Sequence, residues 1–244
     1  MFALRILPDK FNIDIIMKKA FYLFLILNCN FCFSQFAIVN DKDGYVNVRS
    51  SAKIANNITD KLDNGFVVYY YEPQGNWANV DYQKNGKDLH GYIYKDKIRE
   101  ISNFKKIPLK SNSNGKAILA DKNIKIEFTE TKFIKANHKF KFLDHNSDII
   151  IKIDNLDIFG TDGGIPKREY KSIEVQIKNE KIEIPASALK NLFEPNLELS
   201  EANYDEVNNI LYIQALNSDG AGGYIILWII EGNKYKTRVE ATPF

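Results

Sequence analysis

Cysteine is almost absent from this 244-residue chain: Cys29 and Cys32 are the two present, and both lie near the amino terminus. Histidine is nearly as scarce, and His90, His138 and His145 are too scattered to suggest a zinc set, so they are read as surface groups. No Gly-x-Ser-x-Gly elbow, phosphate-binding glycine loop or His-Glu-x-x-His pair occurs, and with them go the commonest signatures of serine hydrolases, nucleotide-binding enzymes and zinc peptidases. No catalytic residue, metal site or cofactor is expected. No apolar run reaches the roughly 20 residues that a membrane-spanning helix needs. The 31 Asp and Glu residues leave carboxylate-pair hydrolysis open, because sequence does not report their separation in space.

What is present near the start points to export. Met17-Lys18-Lys19 is a short basic cluster, and residues 20–27 (AFYLFLIL) form an apolar core. Cys32 and Ser34 then stand at −3 and −1 relative to Gln35. Basic, apolar, then small is the layout of a cleavable signal peptide. Residues 1–34 are therefore read as a signal peptide. Met17 is the expected true start, since Asp9 and Asp14 suit a basic n-region poorly. The expected destination is the periplasm or the exterior. Cleavage removes both cysteines, and with them any disulfide, thiolate metal site or Cys nucleophile. Asn28 and Phe31 precede the two cysteines, where lipid-modified cysteines normally follow a small residue, so a lipoprotein is not expected. Residues 1–34 also carry four basic and two acidic groups; subtracting these from 33 and 31 leaves 29 of each sign. A formally neutral protein with interspersed charge has no overall pull towards nucleic acid or anionic lipid.

Aromatic residues are 13% of the chain, mostly Tyr and Phe, which favours strands. Residues 35–102 read as one unit. Short strands are predicted over 37–39, 45–49, 66–71, 77–82 and 91–94. Between them stand Asp41-Lys42-Asp43-Gly44, Asn64-Gly65, Pro73-Gln74-Gly75-Asn76 and Lys84-Asn85-Gly86-Lys87, all turn-forming stretches. Five short strands in so few residues suggest a small barrel. The order Gly44-Tyr45-Val46-Asn47-Val48-Arg49-Ser50, then Leu62-x-x-Gly65-x-x-Val68, then Gly75-Asn76-Trp77-x-x-Val80, then His90-Gly91-Tyr92-Ile93, resembles the bacterial SH3 (SH3b) domain. The resemblance covers about 65 of 244 residues, with a polar insert over 84–89 somewhat longer than usual. It implies an SH3-like barrel that recognises cell-wall peptide or glycan and carries out no chemistry. Tyr69, Tyr71, Trp77, Tyr92 and Tyr94 are the candidate ligand-binding aromatics, with Tyr45 nearby; an alternative role for some of them is to fill the barrel core.

Residues 103–116 read as a linker, rich in Ser and Asn and carrying Pro108. Residues 117–244 read as a second antiparallel β-rich domain that resembles no family. Strands are predicted over 124–129, 139–142, 148–153, 174–177, 181–184, 210–215, 224–230 and 235–239, with one short helix over 185–193. Two glycine-rich loops stand out: Gly160-Thr161-Asp162-Gly163-Gly164 and Asn217-Ser218-Asp219-Gly220-Ala221-Gly222-Gly223. Each sets an acidic side chain, Asp162 or Asp219, in backbone that a ligand can approach closely. Ordinary loop geometry is the competing reading of both. The leading function is an exported, non-catalytic protein that binds peptidoglycan or other envelope material. One alternative is an inhibitor or immunity-type protein acting on a protein partner, and another is a wall hydrolase with the barrel as its anchor. The oligomeric state is not legible.

Overall fold

The fold is given by a computed structural model, which describes residues 35–71 and 73–242. The expected signal peptide lies outside the described residues. The protein is mainly β, built from several antiparallel sheets, and the helical pieces among the described residues are six 3-10 turns of three residues each.

The first sheet contains β1 (Gln35–Val39), β2 (Tyr45–Arg49), β3 (Ile58–Asp63), β4 (Val67–Tyr70), β5 (Trp77–Lys84), β6 (Lys87–Tyr94) and β7 (Ile98–Glu100). Their order across the sheet is β3-β2-β6-β5-β4-β1-β7. Alternate side chains point inward: Val46 and Val48, Val68 and Tyr70, Ala78, Val80 and Tyr82, and Ile93 meet Ala37, Val39 and Leu62 in one core. Inward residues from both ends of the sheet share that core, so the sheet is rolled. Gly91 allows the roll to close, since a Cβ there would stand 2.4 Å from Val48 Cγ1 and 2.8 Å from the Arg49 carbonyl oxygen. The buried Asp41 ties the β1–β2 turn to Lys97, in the 3-10 turn before β7. Its hydrogen bond from Lys97, then that from the Asp43 N–H, holds its carboxyl below the usual range.

Next come β8 (Lys105–Ile107), β9 (Leu109–Ser113), β10 (Lys116–Ala120), β11 (Ile124–Lys132), β12 (Phe140–Phe142), β13 (Ile150–Ile153), β14 (Arg168–Ile177) and β15 (Glu180–Ile182). The chain closes with β16 (Ser200–Asp205), β17 (Ile210–Asn217), β18 (Tyr224–Glu231) and β19 (Lys234–Ala241). Two five-stranded sheets result, β15-β14-β11-β10-β9 and β19-β18-β17-β16-β8. They pack face to face over a core that includes Ile126, Phe128, Val175, Leu211, Ile213, Ile226 and Trp228. Residues 103–116 thus carry a strand for each sheet, separated by Pro108.

β18 explains why residues 224–230 are apolar without alternation. Tyr224, Ile226, Trp228 and Ile230 face the sandwich core. Leu227 and Ile229 face the other way, onto Phe36, Ile38 and Tyr69 of the rolled sheet and onto Ile101, Phe104 and Tyr212. A strand buried on both faces reads as a continuous hydrophobic run. The rolled sheet and the sandwich therefore share an apolar layer and belong to one compact unit.

The helix expected over 185–193 is a 3-10 turn at Ala186–Ala188. Its spacing of Leu189, Leu192 and Phe193 looked helical, but tertiary bonds take the backbone instead. The Trp228 indole N–H donates to the Ala188 carbonyl at 2.9 Å, and the Arg238 guanidinium donates to the carbonyls of Ala188 and Lys190. Asn191 then turns left-handed, with φ of 58°, which ends any helical continuation.

Candidate functional site

Two regions carry the residues singled out from sequence. The first is the outward face of the rolled sheet. On β5 the inward Ala78, Val80 and Tyr82 alternate with outward Trp77, Asn79 and Asp81. Register places Trp77 opposite Tyr94, Asn79 opposite Tyr92, and Asp81 opposite His90. Arg49 of β2 pairs with Tyr92 from the far side. Trp77 and Tyr94 stack with ring centroids 4.0 Å apart and planes 24° from parallel. Arg49 donates to the Ala55 carbonyl and Asn57 Oδ1, which fixes the polar loop between β2 and β3 beside this face.

The five candidate aromatics do not share one environment. Tyr69 is 2% exposed and lies in the apolar layer against β18, so its ring packs within the protein. Tyr71 stands at the rim of that layer, edge-on to Tyr69, and its hydroxyl donates to Asp81 at 2.8 Å. Partial burial, with the Asp81 bond next, pushes the Tyr71 hydroxyl well above its ordinary range and keeps it a neutral donor. Tyr92 and Tyr94 are half-buried, and Trp77, stacked on Tyr94, is buried. The accessible aromatic surface is thus Tyr92, Tyr94 and the rim of Tyr71, flanked by Arg49 and Asn79.

The second region is where the two glycine loops meet. The Ser218 hydroxyl donates to the Gly160 carbonyl at 2.9 Å, and its N–H donates to the Glu194 carbonyl at 3.1 Å. Gly222 lies so close that a Cβ there would stand 3.1 Å from the Thr161 nitrogen and 3.2 Å from Asp162 Oδ1. A polar cleft of about 590 Å³ opens at this junction, with the exposed Asp162 and Asp219 on its wall. Sequence patterns brought Asp162 and Asp219 to attention but missed the polar groups that line or underlie the same cleft. Arg168 is bound by Glu130 at 3.0 Å and faces Glu194 at 3.6 Å, while Glu194 accepts the N–H groups of Lys167 and Arg168. Fully buried Asn217 accepts from the Tyr170 hydroxyl and the Asn196 N–H, both at 2.9 Å. These partners come from four separate stretches of chain, so no local pattern announces them. Among the described residues no group of three or more His, Cys, Asp or Glu side chains is placed to hold a metal ion.

No helix among the described residues is long and apolar enough to cross a membrane. No family model, curated protein or solved structure matches the chain.

Proposed function

We propose that this is an exported, non-catalytic binding protein whose rolled sheet is an SH3b domain contacting peptidoglycan of the cell envelope. The observation that carries the reading is the register that sets Trp77 beside Tyr94 and Asn79 beside Tyr92 on the outward side of β5 and β6, where both tyrosines remain half-buried. Half-buried tyrosines there offer apolar ring faces with polar tips, and Arg49 and Asn79 offer donors, which suits a peptide or glycan. The motif glycine Gly91 also has a structural reason, as the point where β6 crosses close to Val48.

The chain's two tryptophans make the reading testable, since Trp77 lies on this face and Trp228 is fully buried in the sandwich. Titration with soluble muropeptides should change tryptophan emission saturably. The change should vanish in Trp77→Phe, and Tyr94→Ala should weaken binding by about tenfold or more. A flat titration of the wild-type protein would sink the proposal.

A second reading, an inhibitor or immunity-type protein, is favoured by the meeting of the Asp162 and Asp219 loops over a polar cleft. It assigns the binding surface to those loops and leaves the aromatic face idle.

A further inference from the structure

Residues 133–165 leave the sandwich between β11 and β14 and form the small β12–β13 hairpin. Eleven large hydrophobic side chains are exposed among the described residues, and six of them lie in this one excursion: Ile134, Phe142, Leu143, Ile149, Leu156 and Ile165. Phe142, Leu143 and Ile149 stand together where the hairpin begins its turn, the Leu143 N–H donating to the Ile149 carbonyl at 2.9 Å. Single exposed apolar groups are ordinary, but a concentration of them marks a surface that something covers.

The backbone is open at the same place. On β13 the outer edge is occupied: the Ile150 N–H donates to the Gly163 carbonyl at 2.7 Å, and the Ile153 N–H to the Leu156 carbonyl at 3.1 Å. On β12, Lys139 accepts from the Asp154 N–H and Leu143 donates to Ile149, so these residues and Lys141 turn their polar groups towards β13. Alternation sends the N–H and C=O of Phe140 and Phe142 the other way. No third strand joins this sheet among the described residues. A two-stranded ribbon gains from a third strand, and an uncovered edge is a template for one.

Charge is divided along the hairpin. Residues 135–142 and 150–157 hold four lysines and two aspartates, while the turn, residues 143–149, holds Asp144 and Asp148 and neither lysine nor arginine. The ion pairs of this segment join His138 to Asp154 and Glu169, and Lys152 to Asp157. They leave Lys139, Lys141, Asp144 and Asp148 without an oppositely charged partner among the described residues. A surface with cations at one end, carboxylates at the other and apolar groups between them is complementary to its own copy turned end for end. An extended peptide would be served by the open edge alone; the divided charge singles out a second copy of this chain.

We propose that the open edge of β12 is a self-association surface. Two copies pair their β12 strands antiparallel about a two-fold axis at Phe142, which sets Phe142 against Phe142 and Phe140 against Asp144 of the other copy. The lysines of each hairpin then lie beside the acidic turn of the other, and Phe142 and Leu143 leave the solvent.

Sedimentation equilibrium of the protein spanning residues 35–244 tests this, from about 10 μM to about 1 mM, because a small edge-to-edge interface associates weakly. The mean mass of the wild-type protein should rise towards that of a dimer. Lys139→Glu with Lys141→Glu should weaken association about tenfold or more, and so should Asp144→Lys with Asp148→Lys, since each sets like charges against one another. All four side chains are exposed, so both variants should keep the wild-type circular dichroism. Mixed in equal amounts, the two variants should associate with each other, because every like-charged contact becomes an opposite one. A wild-type protein that stays monomeric throughout, a rise in mass that both variants keep, or variants that remain apart on mixing would overturn the proposal.

Discussion

Replacing Gly160 with alanine is expected to destabilise the protein by about 3–5 kcal/mol, combining an unfavourable backbone conformation with a forced overlap. Gly160 has φ of 108°, a region that L side chains rarely adopt, and a Cβ there would stand 2.2 Å from the Phe193 carbonyl oxygen. The obstacle is backbone, so no side chain can swing aside. Phe193 is pinned on both sides: its N–H donates to the Phe159 carbonyl at 2.9 Å, and it bridges to Glu169. Relief must come from moving the 160–162 loop, which also breaks the Ser218 hydroxyl bond to Gly160 and parts the two loops. Urea unfolding measures this as a lower midpoint at unchanged slope. Gly164→Ala is the control: nothing lies within 4 Å of its Cβ position, and its cost should stay within about 0.5 kcal/mol. Equal midpoints for the two variants would show that the 160–162 loop is not held as described.

Leu227→Asp should have a comparable or larger effect. Leu227 is fully buried between the rolled sheet and the sandwich, among Phe36, Tyr69, Phe104, Tyr212 and Ile229. A carboxylate placed there loses its hydration among apolar side chains, which costs about 3–5 kcal/mol. Leu227→Met keeps the volume and should cost less than about 1.5 kcal/mol. The layer is shared, so both parts of the protein should respond. Thermal unfolding of Leu227→Asp followed by near-ultraviolet circular dichroism should show loss of aromatic signal from the rolled sheet together with that of the sandwich. An unchanged midpoint would mean that the two bodies do not depend on this layer.

The strands that were legible are those with one buried face. Residues 45–49 alternate in sequence and in burial, and residues 66–71 and 77–82 locate β4 and β5 closely. The strands that were not legible lack that contrast. In β3 only Leu62 faces the core, and β9 is exposed along its whole length, so neither shows a hydrophobic period. β9 did have a signal of another kind: Asn114 and Gly115, with φ of 53° and 71°, form a two-residue hairpin turn into β10, inside a stretch that composition alone made a linker. The helical spacing over 189–193 misled because two of its apolar residues serve different cores. Leu192 packs in the sandwich and Phe193 under the hairpin, which an extended, kinked segment reaches and a helix does not. The candidate residues divide along similar lines. Trp77, Tyr92 and Tyr94 share an outward face because their strands pair in register, whereas Tyr69, on the same side of its own strand, is covered by β18, a partner about 160 residues away that no local reading brings to it.

The shared layer also decides how the central proposal must be tested. A fragment ending near residue 102 would expose Phe36 and Tyr69 and bind surfaces for that reason alone. The direct measurement is co-sedimentation of the protein spanning residues 35–244 with purified peptidoglycan sacculi, beside the same protein carrying Tyr92→Ala and Tyr94→Ala. The account predicts that the wild-type protein pellets with the sacculi and that the double variant, folded by circular dichroism, stays in the supernatant. A wild-type protein that stays in solution, or a double variant that pellets equally well, would contradict it.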